Sequence, residues 1–295
     1  MQAWDPSLNR AAGLRGDPND TAMVLLATLP LAYVWLIKSR SLPLRIFASA
    51  SLFTIVAGVV LTGSRAGFVT LALVGLLLTF HQAHSRARQL FSFARPKRLL
   101  VAALLAGAAA FAAPAYYWER METLLTGEEI GQSQSLYGRK LLLTTGFDIW
   151  LNNPLLGVGP GQFAQAAMES WGQSPHGRPA FVAHNMHLEF LAEFGIVGAG
   201  AMFSVFLVAM LRFARLNATG TVDEGALRHI GFGYALGLFA MLVMGMTLSQ
   251  GYNSVLWFLI GLGLAAKRHT VVGTRMRGTA SPETGAVRSE GASRV

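Results

Sequence analysis

The stretch AHNMHLEFLAEFGIVG, residues 183–198, sets two histidines, an asparagine and two carboxylates at the mouth of an apolar run that continues to about residue 211. An apolar block of roughly 17 to 25 residues is what a helix needs to cross a bilayer. Six more blocks share this character, at about 21–37, 46–62, 67–80, 99–117, 230–249 and 254–266. The chain is 53% hydrophobic and only 13% charged over 295 residues. A soluble helical core would alternate apolar and polar faces, whereas these blocks are oily all round. The expected fold is therefore all-α, a polytopic transmembrane helical bundle of seven spans.

Charge placement orients the bundle. The net charge is +9, which in a soluble protein would point to nucleic acid. Here lysine and arginine collect in alternate loops, the positive-inside pattern. Lys38, Arg40 and Arg45, the run Arg86 to Arg98, Arg212, Arg215 and Arg228, and the tail from Lys267 fall on one side. That side carries 17 basic and 4 acidic residues, the other 7 and 11. The basicity thus reads as topology, with no nucleic-acid partner. The chain has no cysteine, so neither disulfides nor thiolate chemistry enter.

Residues 1–20 lack the apolar region of a signal peptide, and the topology puts them outside the membrane. Earlier spans are expected to be missing from this N-terminal segment. Four spans follow in 21–117, a long external loop in 118–186, three spans in 187–267, and a Gly/Ser/Thr/Arg-rich tail, 268–295, expected to be disordered.

Long loops with helices of their own usually carry function. Within this one, YGRKLLLTTGFDIWLNNP aligns Leu136, Leu143, Phe147, Trp150 and Leu151 on one helical stripe, suited to the membrane surface or to packing on the bundle. NNPLLGVGPGQF then sets a turn. GVGPG has no preceding strand and no P-loop lysine, so it is not read as a phosphate loop.

Several residues stand out against this background. Arg65, in the external turn GSRAG, is either an orienting arginine or an anion ligand. Arg139, read as lying in the first turn of the loop helix with Ser135 as cap, opposes the helix dipole unless an anion joins it. Its alternative partner is the acidic pair Glu128/Glu129. His184 is a cap or interface residue, or a general base oriented by Asn185 or a carboxylate. Glu189 and Glu193, one turn apart, are placed to pair with the arginines or to hold the His184 ring. Gly195, Gly198 and Gly200 favour close helix packing. His184 and His187 lack HExxH spacing and a third ligand, so no metal is expected. Asn19 or Asp20 reads as a helix cap.

GSRAG, then GR…W…NNPLLGVGPGQF, then AHNMHLEFLAEFGIVG resemble the O-antigen ligase and polymerase superfamily, and GDPNDTAM…LP at 16–30 resembles a further motif of it. The resemblance covers about residues 16–265. It implies a GT-C type glycosyltransferase in the bacterial inner membrane, with its active site facing the periplasm. Such an enzyme moves a glycan from undecaprenyl diphosphate to an acceptor hydroxyl on lipid A core, on another glycan, or on protein serine or threonine. By position, Arg65 and Arg139 match the family's diphosphate-binding arginines and His184 its catalytic histidine. No metal or other cofactor is implied. Members usually have ten or more spans. A lipid-linked glycan transporter, an inactive ligase remnant and a metal-dependent membrane hydrolase are the competing expectations.

Overall fold

The computed structural model describes residues 4–5, 10–11, 13, 16–85, 118, 122, 133–172, 182–215 and 224–265. The expected span at 99–117, Glu128/Glu129 and the tail 268–295 lie outside the described residues. Apart from a two-residue antiparallel hairpin, in which Trp4 faces Ala11 and Asp5 faces Arg10, the described structure is helical.

Helix α1, Pro18–Lys38, begins where the Asp17 carboxylate accepts from the backbone N–H groups of Asn19 and Asp20, at 2.6 and 3.4 Å. Pro18 at its first position has no N–H to leave unsatisfied. Asp17 is the cap; Asn19 and Asp20 are helical and reach other elements. Helix α2, Leu42–Leu61, returns to the same end, and α3, Arg65–Ser85, starts after a turn in which Ser64 Oγ accepts from the Gly67 N–H at 3.1 Å. Two helices of the loop follow, α4 at Ser133–Asn152 and α5 at Phe163–Ser170. The bundle then resumes with α6, Met186–Arg215, α7, Glu224–Gly245, and α8, Ser254–Ala265.

Helix α1 is the centre of the bundle, packing against α2, α3 and α7, while α7 also meets α6. Its buried face includes Ala22, Met23, Leu26 and Ala27. Gly237 of α7 lies where any side chain would strike the Ala27 carbonyl, so the two helices approach backbone to backbone. A second, smaller core forms where α4 and α5 cover the start of α6, from Leu142, Ile149, Phe163, Ala167, Ala183 and Ala192.

Helices α1, α2 and α6 are long and apolar enough to cross a membrane, and α3, α7 and α8 contain shorter apolar stretches. Helix α2 carries Leu42, Ile46, Phe47 and Phe53 more than half exposed. Such a surface belongs in lipid, since soluble proteins rarely expose an apolar patch of that extent. The chain is an integral membrane protein.

Three expectations are corrected. Helix α6 is not continuous: Gly195 has φ 61° and ψ −172°, a break nine residues into the helix. Gly195 therefore does not serve helix packing, and Gly200 faces open space. In α4 the buried stripe is Leu142, Thr145 and Ile149, whereas Phe147 and Leu151 of the expected stripe are exposed. Helix α4 also starts at Ser133, so Arg139 lies in its second turn rather than its first.

Candidate functional site

The helix directions bring four capped N-termini to one end of the bundle. Asp17, Ser64, Asn185 and Asn253 cap α1, α3, α6 and α8, and the side chains around them are linked. Ser64 Oγ donates to Asn19 Oδ1 at 2.8 Å, and Gln250 Nε2 donates to Asp20 Oδ1 at 2.6 Å. Asn253 Nδ2 donates to Gln250 Oε1, and Asn253 Oδ1 accepts from the Val255 N–H at 2.9 Å. One polar layer thus ties α1 to the α2–α3 and α7–α8 turns.

His184 sits in this layer, half-buried, on the two-residue approach to α6. Its φ of 50° makes it the non-glycine residue with left-handed backbone among those described. Histidine tolerates that region better than most side chains, though at a cost in strain. Burial lowers its pKa below 6.5, the Arg139 guanidinium lowers it further, and Asp17 partly opposes both. The imidazole is therefore neutral near pH 7, with a cation from α4 and a carboxylate from α1 acting on it. Arg65, half-buried at the first position of α3, shares this end of the bundle through its neighbour Ser64.

Asn185 does not orient the His184 ring. Its Oδ1 accepts from the N–H groups of His187 and Leu188, at 3.0 and 3.1 Å, which is the cap of α6. Replacing Asn185 by alanine is expected to lower stability by about 1 kcal/mol, read as a drop in unfolding temperature. Asn185→Asp, which retains the acceptor, should restore it.

Glu189 and Glu193 are buried on α6 and pair with neither arginine in the hydrogen bonds described. Glu193 Oε1 accepts from the Phe163 N–H that opens α5, at 3.2 Å, and Oε2 accepts from the Tyr252 hydroxyl at 2.5 Å. Burial, and then Glu193, raise the pKa of that hydroxyl, so it remains a donor. Glu193 is thus a structural clamp joining α6, the loop and the α7–α8 turn. Glu189 Oε2 and Ser249 Oγ are buried without a hydrogen-bond partner among the described residues. Ser249, Gln250, Tyr252 and Asn253 escaped the sequence reading. Their signal was visible as SQGYNS, a polar run between two apolar blocks.

His187 turns the other way. Its Nε2 lies 3.0 Å from the Leu242 carbonyl of α7, and its ring packs on Phe203 with centroids 5.5 Å apart. It is a bundle residue, not a second ligand beside His184. Among the described residues, no three of His, Cys, Asp and Glu cluster so as to hold a metal.

The break at Gly195 is what seats the loop. Ala192 and Glu193 carbonyls accept from the Val158 and Gly159 N–H groups at 3.0 and 2.9 Å. In return the Ile196 and Val197 N–H groups donate to the Pro154 and Leu155 carbonyls at 2.8 and 3.3 Å. Backbone groups freed by the interrupted helix thus pair with NNPLLGVGPG, as buried backbone groups must. The same pairing seats α4, and with it Arg139, beside the start of α6.

A family profile described as O-antigen ligase matches residues 50–203. This window runs from α2 into α6 and takes in Arg65, Arg139, His184, Asn185, Glu189 and Glu193. No curated protein matches the chain significantly.

Proposed function

We propose, on the premise that this chain belongs to the O-antigen ligase family, a family of membrane enzymes that ligate or polymerise glycans, that it transfers a glycan from undecaprenyl diphosphate to an acceptor hydroxyl on the periplasmic side of the inner membrane. The observation that carries the reading is the setting of His184. It is half-buried at the polar end of the bundle, and burial and Arg139 keep its imidazole neutral at working pH. A neutral imidazole can take a proton, which an imidazolium cannot.

In the proposed step the acceptor oxygen attacks the anomeric carbon, the bond from that carbon to the diphosphate oxygen breaks, and His184 takes the acceptor's proton. One in-line displacement inverts the anomeric centre. Arg139 and Arg65 hold the diphosphate, whose negative charge grows as it leaves; guanidinium groups match phosphate oxygens as paired donors. Arg139 then has two duties, binding the leaving group and keeping His184 unprotonated. Asp17, whose charge raises the imidazole's pKa, steadies the proton once it arrives. The acceptor is lipid A core, another glycan unit or a protein hydroxyl, and the reaction needs no metal.

The test uses membranes containing the full chain, supplied in EDTA with undecaprenyl-diphosphate glycan and each acceptor in turn. Transfer is expected to survive EDTA and to identify the acceptor. Arg139→Ala and Arg65→Ala should each slow it by about 10²–10³-fold, the usual effect of removing one group that holds developing charge. His187→Ala should leave transfer near wild type. Abolition by EDTA, or equal dependence on His184 and His187, would instead favour a metal-dependent hydrolase.

A further inference from the structure

We propose that the loop from Phe147 to Leu156 docks into the lipid leaflet at the His184 end of α6, with bilayer acyl chains as its partner. This inference stands on the fold and is independent of the reaction.

The depth of the loop is set by α6. Past Gly195, residues 196–211 contain no charged side chain. At 1.5 Å per residue they span about 24 Å, close to the ~30 Å of a bilayer's hydrocarbon core. Arg212 closes this limb, and the limb before Gly195 folds back on it, setting Phe190 against Phe203 and Phe206 with ring centroids 6.2 and 6.0 Å apart. The uncharged limb thus begins at Ile196, and its exposed stripe runs from Ile196 and Val197 to Leu207, Val208 and Leu211. The loop is hydrogen-bonded at that point, through Pro154 and Leu155 carbonyls to the Ile196 and Val197 N–H groups. Its tip cannot stand away from the membrane surface while those bonds exist.

The side chains at this junction are those that lipid accepts. Leu155 is 64% exposed and Leu156 75%, beside Ile196 and Val197 on α6, which are themselves more than half exposed. Leu151, at 63%, and Phe147 continue the patch along α4. Opposite them, Leu142 and Ile149 are spent on the core, and among the described residues no second bundle contact covers the outer stripe. Trp150 lies next to it with its ring edge-on to Phe147, centroids 6.2 Å apart, and its Nε1 buried. On the helical wheel the exposed Thr144 and Asp148 border the stripe on the side turned away from Trp150. The patch therefore continues the lipid-facing surface of α6, and inserting side chains into the interface is how amphipathic segments hold a membrane. A loop anchored this way keeps Arg139 at a constant height above the bilayer.

The chain's lack of cysteine allows a clean test. Leu156→Cys and Leu151→Cys, each spin-labelled in the full chain, are reconstituted in vesicles of phosphatidylethanolamine and phosphatidylglycerol, with Glu169→Cys on exposed α5 as the aqueous reference. Collision with lipid-soluble oxygen, relative to a water-soluble nickel chelate, is expected to be several-fold higher at 151 and 156 than at 169. Both side chains lie outside the packed cores, so the fold should tolerate the changes, and the two positions report independently. Nickel reaching both as readily as it reaches 169 would place the patch in water. Exclusion of both reagents would mean that protein, such as a second copy of the chain, covers it. Either result overturns the proposal.

Discussion

Removing the imidazole of His184 is expected to slow glycan transfer by about 10²–10⁴-fold, the usual range for a general base, with the protein still folded. Asparagine is the better replacement, because it tolerates the φ of 50° that His184 adopts, whereas alanine there adds strain. The pH profile separates a base from a scaffold residue. Its neutral form is the active one and its pKa lies below 6.5, so activity should hold through neutrality and fall on acidification below that value. Arg139 lowers the pKa and Asp17 raises it. Residual activity of Arg139→Ala should therefore show its acid limb at higher pH than wild type, and Asp17→Asn at lower pH. A His184→Asn enzyme near wild-type rate, or acid limbs that move the same way in both variants, would remove His184 from the chemistry.

The second large effect belongs to two glycines that never meet a substrate. A Cβ on Gly195 would overlap the Leu155 carbonyl, and one on Gly157 would overlap the Glu193 carbonyl. Both residues also have left-handed backbone, φ 61° and 69°. Strain of 1–3 kcal/mol from such a backbone conformation adds here to a clash against main chain that has no rotamer to escape into. Gly195→Ala and Gly157→Ala are each expected to cost about 3 kcal/mol or more, seen as a lowered unfolding temperature in detergent and as lost transfer. Gly200→Ala, helical with open space at its Cβ, should be neutral or slightly stabilising. Equal stability of the Gly195 and Gly200 variants would show that the loop is not held by the break in α6.

These two results bear on different parts of one arrangement. Burial first, and then Arg139, lower the pKa of His184, and Arg139 depends on the Gly195 break for its place. A defect at Gly195 should therefore resemble loss of Arg139 in the assay while differing from it in stability.

Apolar blocks in the sequence located six of the expected helices to within a few residues, because a bilayer demands nearly unbroken hydrophobicity from whatever crosses it. The turn at NNPLLGVGPGQF was equally plain, since proline and glycine act locally. His184 and Arg139 drew attention as polar groups where a helical membrane chain has little use for them. Their proximity was not readable: Arg139 and His184 are 45 residues apart in the chain, and only the docking of α4 on α6 puts one within reach of the other's charge.

Composition and periodicity by themselves determined that the protein is helical and embedded in a membrane, since both follow from the solvent each segment requires. Tertiary structure decided which face of α4 is buried, that Asp17 rather than Asn19 caps α1 and faces His184, and that Gly195 breaks a helix instead of packing one. Each of those choices depends on a partner far along the chain. A helix carries several faces that could be buried, and a glycine takes a positive φ only where another segment stands ready to satisfy the backbone groups it releases.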